Sequence, residues 1–173
     1  MRISLLLFLL LSCTNDPKSV QEFVSRKELP VEQIEEAELF HTQNGNIKVK
    51  ITANTINRFE NSQPEIIFSN NLSVIFYGDS SKEKSILRAE NAFIDKEKNI
   101  MIVSENVVLE SNDNKLETEE LVWDQYTDKI YTNLNVKITT SNEVVFGEGF
   151  ISNPDFTEYT ISKIHGNLAF GPE

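Results

Sequence analysis

Hydrophobic and polar residues alternate along most of the chain beyond residue 34. In the stretch NIKVKITA, apolar side chains fall on one side, with two lysines and a threonine on the other. The stretches NLSVIFYG, NVVLES, NVKITT and EVVFGEGF alternate in the same way. A period of two residues is typical of a strand with one buried and one wet face. Because no window sustains a helical period for three turns, the pattern predicts an all-β fold of antiparallel strands.

Turn-forming residues separate these stretches. Asn44-Gly45 is one such site, and the others are 78–81, 96–99, 112–114 and 141–142. Asparagine, glycine, aspartate and serine favour tight turns, so neighbouring strands are expected to form hairpins.

The strand pattern repeats every twenty-nine residues. LRAENAFIDKEKNIMIVSENVVLES at 87–111 aligns with LETEELVWDQYTDKIYTNLNVKITT at 116–140, and VFGEGFISN continues the repeat. An earlier unit begins at ITANTINRF and has Asn54 where the later units have glutamate. Four such units predict an elongated sheet in which each unit buries its apolar face against its neighbours.

Strand parity groups ten apolar residues onto one face of the predicted sheet, which we expect to point inward. An open trough and a fully packed core both fit this grouping. The ten residues are Ile51, Val74, Phe76, Leu87, Val107, Leu109, Leu116, Val136, Ile138 and Val145.

The two terminal strands have no repeat unit beyond them and are expected to contact partners. The first strand, near 36–41, is acidic on one face through Glu36 and Glu38. The last stretch, GNLAFG, is uncharged and alternates through Leu168 and Phe170. An unpaired strand edge can accept a strand from another protein.

The N-terminus, MRISLLLFLLLSC, has a basic residue, an apolar run and a small residue before Cys13. The nine-residue run spans about 14 Å as a helix, which is too short for a bilayer core of roughly 30 Å. We therefore predict a bacterial secretion signal over 1–12. Cys13 occupies the position of a lipobox cysteine, and the other interpretation is an ordinary free thiol. The predicted organisation continues with a lipidated cysteine and tether at 13–33 and a β-domain at 34–173.

Composition excludes some functions. The net charge of −11 argues against nucleic acid as a partner and against a polybasic contact with anionic lipids. Glu90, Glu119 and Glu148 recur once per unit, whereas an acid–base pair needs two carboxylates in different environments. We expect these glutamates to be solvated. Asp95 and Asp124 fall where a strand meets its turn and are expected to accept backbone N–H groups.

No metal site, cofactor or catalytic set is predicted. His41 and His165 lie far apart in the sequence, and the chain has no second cysteine to complete a zinc site. Trp123, with Tyr126 and Tyr131 nearby, fits either packing or a sugar-binding platform. A surface lipoprotein that binds glycan or protein is therefore the alternative function, and it predicts a packed core with an exposed aromatic patch around Trp123.

The repeated units, the stretch TQNGNIKVKITA and the final stretch VVFGEGFISNPDFTEYTISKIHGNLAF resemble the LptC-like family of periplasmic lipopolysaccharide-transport proteins, to which the bridge protein LptA is related. The resemblance covers roughly 35–171. It implies an open, boat-shaped β-jellyroll whose apolar groove holds the acyl chains of lipopolysaccharide.

The resemblance also implies partners and location. They are an inner-membrane ABC transporter that supplies lipopolysaccharide and an LptA-like bridge protein that receives it, with strand edges as docking surfaces. The implied location is the periplasm, at the inner membrane. Better-known members are anchored by a transmembrane helix, whereas this chain is expected to be anchored by lipid on Cys13.

Overall fold

The computed structural model describes residues 30–60, 62–78 and 82–169, and these residues contain nine strands and no helix. The strands form one antiparallel sheet in sequence order, so every strand pairs with its neighbours in the chain. The predicted all-β, antiparallel fold is confirmed. The strands are β1 (Glu32–Gln43), β2 (Asn46–Arg58), β3 (Ile66–Tyr77), β4 (Glu83–Asp95), β5 (Ile100–Ser111), β6 (Asn114–Asp124), β7 (Lys129–Thr140), β8 (Glu143–Ser152) and β9 (Tyr159–Ala169).

Each of the four sequence units corresponds to two adjacent strands, from β2–β3 to β8–β9. The two terminal strands are longer than the sequence predicted. β1 begins at Glu32, before the expected domain start at residue 34, and β9 begins at Tyr159 rather than near Gly166. Phe170 lies outside the described residues.

The sheet is folded back on itself, because its strands bend part-way along their length. Phe76 of β3 pairs with Ser85 of β4, which in turn pairs with Ser111 at one end of β5. Trp123 of β6 pairs with Met101, at the other end of β5. Ten residues of straight strand separate those positions by roughly 33 Å. The Phe76 and Trp123 rings nevertheless meet edge to face, with centroids 5.1 Å apart. The two ends of the strands therefore come together along a seam, marked by this ring pair.

The fold-back divides the sheet into two walls. The first wall contains the strand halves on the Phe76 side, at 37–43, 46–53, 72–77, 83–89, 107–111, 114–118, 136–140 and 143–147. The second wall contains the halves on the Trp123 side, at 32–35, 55–58, 66–69, 91–95, 100–104, 120–124, 129–132 and 150–152. The apolar core lies between the two walls.

The repeated asparagines mark the bend between the walls. Strand pairing shifts register between Ser69 and Leu72 in β3 and between Ser104 and Val107 in β5. Asn71 lies at the register shift of β3 and has a φ of 53°, and the matching Asn106 at the shift of β5 also has a φ of 53°. Asparagine tolerates this left-handed conformation better than most residues, because its short side chain can hydrogen-bond locally.

The glutamate of the repeat also lies at the bend. Register shifts fall between Arg88 and Asn91 in β4 and between Glu117 and Val122 in β6, and these intervals contain Glu90 and Glu119. The two recurring polar positions of the sequence unit therefore mark the bend of the sheet rather than a chemical site.

Substitution of Asn106 by valine is expected to destabilise the protein by about 1–2 kcal/mol, because a β-branched residue is strained in the left-handed region. Asn106→Gly should be close to neutral, since glycine adopts this conformation freely. Asn135 provides a matched control, because it occupies the same repeat position, is also exposed and does not have a positive φ. Urea unfolding would compare the variants, and an equal loss for Asn106→Val and Asn135→Val would contradict this account of the bend.

Candidate functional site

Seven of the ten predicted inward residues form one continuous row across the first wall. The register pairs each of them with the next, one residue per strand from β2 to β8. Residues that are directly opposite in an antiparallel pair lie on the same face of the sheet. The apolar row consists of Ile51, Val74, Leu87, Leu109, Leu116, Ile138 and Val145.

The other three predicted residues, Phe76, Val107 and Val136, lie on the same face, beside the apolar row. Of the ten, nine are buried, and Ile51 is half-buried and packs against the core. The structure thus brings all ten together on the inner face of the first wall. Burial does not test whether lipid contacts them, so the groove assignment stays a prediction.

The opposing inner surface comes from the second wall, and its residues were not among those predicted to point inward. Phe68, Met101, Val103, Leu121, Ile130 and Phe150 are all buried there. In β6 the buried positions are Leu116 and Thr118 before the bend, but Leu121 and Trp123 after it. In β6 the bend therefore shifts side-chain parity, so the alternation of its first half does not extend to its second half.

The interior is packed in this closed form. Val74, Leu109, Leu116 and Ile138 expose none of their surface, because side chains of the second wall cover them. An open trough would leave such residues accessible. Of the two arrangements that fit the sequence pattern, the structure therefore shows the packed one.

The expected exposed aromatic patch around Trp123 is absent from the described surface. Trp123 is only 7% exposed and packs against Phe76 at the seam. Tyr126, in the turn that follows β6, is 88% exposed, and Tyr131 is half-buried on the outer face. The three rings do not form one surface platform, so this part of the alternative hypothesis is wrong.

The outer face of the first wall carries ion pairs between neighbouring strands. Arg88 contacts Glu110 at 2.6 Å, and Lys137 contacts Glu117 at 2.8 Å. The hydrogen bond from Lys137 and the charge of Lys115 lower the pKa of Glu117 below its usual value. Exposed pairs of this kind add little stability, but they keep this face hydrophilic.

One of the recurring glutamates belongs to a similar pair. Glu148 accepts a hydrogen bond from Lys163 at 2.9 Å, and this contact lowers the pKa of the glutamate. Glu148 therefore pairs with an exposed lysine on the neighbouring strand, as expected for a solvated carboxylate.

The two turn aspartates have the role that the sequence predicted. Asp124 accepts hydrogen bonds from the backbone N–H groups of Tyr126 and Thr127, at 2.8 and 3.1 Å. Asp95 accepts one from the N–H of Lys98 at 3.1 Å and a second from its ammonium group at 2.7 Å. These bonds favour the charged carboxylates, so both pKa values are lowered, chiefly by Thr127 for Asp124 and by Lys98 for Asp95.

Both edges of the described sheet expose apolar side chains. At the β1 edge, Leu39 lies opposite Ile51 and is 41% exposed. At the β9 edge, Ile164 is 65% exposed. Among the described strands β1 pairs only with β2, and β9 only with β8, so each has one side without a strand partner in this part of the chain.

The predicted edge residues have different surroundings. Glu36 is exposed, with a φ of 50° at the bend of β1, and Glu38 pairs with Lys50 at 2.6 Å. The backbone of Leu168 is in register with Val144 of β8, while Phe170 lies outside the described residues. The structure thus places three of the four on unpaired edges, and their contacts with partners stay predictions.

The described residues lack the features of two other classes of site. In the described ranges, no group of three or more histidine, cysteine, aspartate or glutamate side chains could hold a metal ion. These ranges also contain no helix with the length and apolar character needed to cross a membrane. Cys13 and the signal peptide predicted over 1–12 lie outside the described residues, as does most of the predicted tether.

Comparison with known proteins identifies one related family. The chain matches the family described as "Lipopolysaccharide-assembly, LptC-related" over residues 1–165. This range includes β1 to β8 and more than half of β9. No curated protein matches the sequence.

Proposed function

Because the chain belongs to the LptC-related family of lipopolysaccharide-assembly proteins, we propose that its folded sheet receives lipopolysaccharide from an inner-membrane ABC transporter and passes it to a periplasmic bridge protein. Membership of the family implies lipopolysaccharide transport in the periplasm. The observation that best supports the finer proposal is the apolar row, which continues without interruption from β2 to β8.

The dimensions and chemistry of the apolar row suit acyl chains. Seven strands spaced about 4.8 Å apart give the row a length of roughly 29 Å. Burial of each methylene group is worth about 0.8 kcal/mol, so aliphatic side chains can hold a lipid tail without a cofactor. The row runs across the strands, from the β1 edge towards the β9 edge, which is the direction that transfer between end-to-end partners requires.

The packed interior adds a condition to the proposed function. Acyl chains can reach the apolar row only if the two walls separate, because residues such as Leu109 and Ile138 are fully covered in the closed form. Separation would replace contacts between the walls with contacts to lipid. Both are apolar, so the exchange has a small net cost once lipid is present.

A photo-crosslinking amino acid in place of Phe76 or Val136 is expected to capture lipopolysaccharide in cells, because both positions lie on the inner face. The matched controls are Lys50 and Lys137, which lie on the outer face of the same strands as residues of the apolar row. Captured lipopolysaccharide would be detected by immunoblotting of the crosslinked chain. Capture from the outer positions alone would show that lipid contacts the opposite face.

We also propose that lipid on Cys13 anchors the chain at the inner membrane. The support is the apolar run that ends in Ser12 before the single cysteine of the sequence. Metabolic labelling with a clickable fatty acid should mark the native chain and fail to mark Cys13→Ala. The absence of label on the native chain would refute this anchor, but it would leave the role of the sheet unchanged.

A further inference from the structure

The loop between β8 and β9, residues 153–158, connects two adjacent strands at the seam end of the second wall, since Tyr159 pairs with Ser152. It follows Ser152, which pairs with Ile130 of the second wall. Within the loop, Asn153 fixes the local shape, since its side-chain oxygen accepts hydrogen bonds from the N–H groups of Thr157 and Glu158 at 3.2 and 3.0 Å. A loop held in this way presents its remaining groups in a defined direction.

Two hydrogen bonds join the loop to the first wall. Ser85 of β4 donates its hydroxyl to the carbonyl oxygen of Pro154. Asn114 of β6 donates its side-chain N–H to the carbonyl oxygen of Phe156 at 3.1 Å. Each bond links residues that are more than forty positions apart in the sequence and connects the first wall to a loop that begins and ends at the second wall. The loop therefore fastens the first wall to the second.

Phe156 anchors the loop inside the fold. Its side chain is fully buried, and its ring packs edge to face on Phe150, with centroids 5.6 Å apart, and on Tyr159 at 5.4 Å. The ring thus fills interior space beside the seam at the β9 end of the sheet. Lipid that reached the interior there would have to displace it.

Two features destabilise the closed position of the loop, and opening would relieve both. Phe156 has a φ of 54°, a conformation that is strained for a bulky side chain. At the base of the loop, the buried hydroxyl of Ser152 has no hydrogen-bond partner among the described residues. A buried polar group without a partner is destabilising, and exposure to water would satisfy it. A few specific contacts therefore stabilise the closed form, whereas the backbone strain at Phe156 and the unpartnered hydroxyl of Ser152 destabilise it.

We infer that loop 153–158 is a latch, whose hydrogen bonds to Ser85 and Asn114 keep the walls together and whose release opens the interior to an acyl chain. The lipid part of this inference rests on the proposed function. The latch itself rests only on contacts within the chain, so the two parts can be tested separately.

The latch is tested with the double variant Ser85→Ala/Asn114→Ala, which removes both bonds and leaves Phe156 in place. A cysteine introduced at Ile138, which is fully buried in the apolar row, reports access to the interior through its rate of reaction with a small thiol reagent. Peptide mass spectrometry of the full chain distinguishes this thiol from Cys13. Loss of the two bonds is expected to speed labelling about tenfold, because the opening equilibrium loses their net stabilisation.

Thr118→Val is the matched control. Thr118 also donates a buried hydroxyl to a backbone carbonyl, that of Asn135 at 2.8 Å, but this bond lies near the bend and does not cross the seam. The control variant should label at the native rate. A second probe, Val145→Cys, repeats the measurement in case Ile138→Cys does not fold. Equal labelling of the double variant and the native chain at the probe positions would overturn the latch.

Lipid access is then measured with a photo-crosslinking residue at Ile138. The double variant is expected to capture several-fold more lipopolysaccharide than the native chain. If the double variant captures no more lipopolysaccharide than the native chain, despite its faster thiol labelling, the role of the latch in lipid access is overturned. Faster labelling with no capture by either chain would support the latch while contradicting the proposed function.

Discussion

Depletion of this protein is expected to stop the delivery of lipopolysaccharide to the cell surface and to leave it at the inner membrane. Under the proposed function the groove is one segment of a continuous path, and apolar tails cannot cross the aqueous periplasm unprotected, because each exposed methylene costs about 0.8 kcal/mol. Removal of one segment should therefore block the whole path rather than slow it. The measurement is separation of the two membranes after depletion, followed by quantification of lipopolysaccharide in each.

The control for this experiment is restoration with the native chain, which should return lipopolysaccharide to the outer membrane. Restoration with Leu109→Asp, which places a charge in the middle of the apolar row, should fail if that variant is still folded and exported. Its folding must be verified by circular dichroism, because an unpaired buried charge is also destabilising. Normal surface delivery in depleted cells would remove the proposed transport function.

Strand alternation and the twenty-nine-residue repeat were sufficient to predict the fold class and the common face of the ten inward residues. Both signals are local, since parity depends only on neighbouring residues and the repeat depends only on spacing. The turn role of Asp95 and Asp124 was predictable for the same reason. A carboxylate beside a turn contacts N–H groups that are two or three residues away.

The bend and the second wall were not predicted, because they depend on how the chain deviates from regular strand geometry. In β5, two consecutive left-handed residues, Glu105 and Asn106, interrupt the strand, and the buried positions before and after them have the same parity. In β6 the parity reverses instead, between Thr118 and Leu121. The recurrent asparagine was the signal that could have located the bend, since it favours left-handed backbone.

The contacts of loop 153–158 could not be read from the sequence either. Asn114 and Phe156 are far apart in the chain, and neither residue is unusual in its local sequence. Their contact exists only because the sheet folds back and brings the ends of its strands together. The closure of the interior is thus a property of the tertiary structure, whereas the apolar row is already present in the alternation of single strands.

Substitution of Leu168 by proline is expected to weaken binding of the bridge protein about tenfold while leaving the domain folded. Within the described sheet β9 pairs only with β8, so its other side can extend the sheet into a second jellyroll by strand addition. Proline removes a backbone N–H and disfavours regular pairing, and near a strand terminus at a sheet edge its cost to folding is small. The measurements are a pull-down of an LptA-like bridge protein and a thermal melt followed by circular dichroism.

Leu168→Ala is the matched control, because it shortens the same side chain but keeps the backbone donor. If docking depends on strand pairing, the alanine variant should bind nearly as well as the native chain and the proline variant should not. Equal weakening by both substitutions would indicate that the leucine side chain, rather than the strand edge, forms the contact. Native binding by a natively folded Leu168→Pro chain would show that the bridge protein docks elsewhere, with the exposed apolar edge of β1 around Leu39 as the next surface to test.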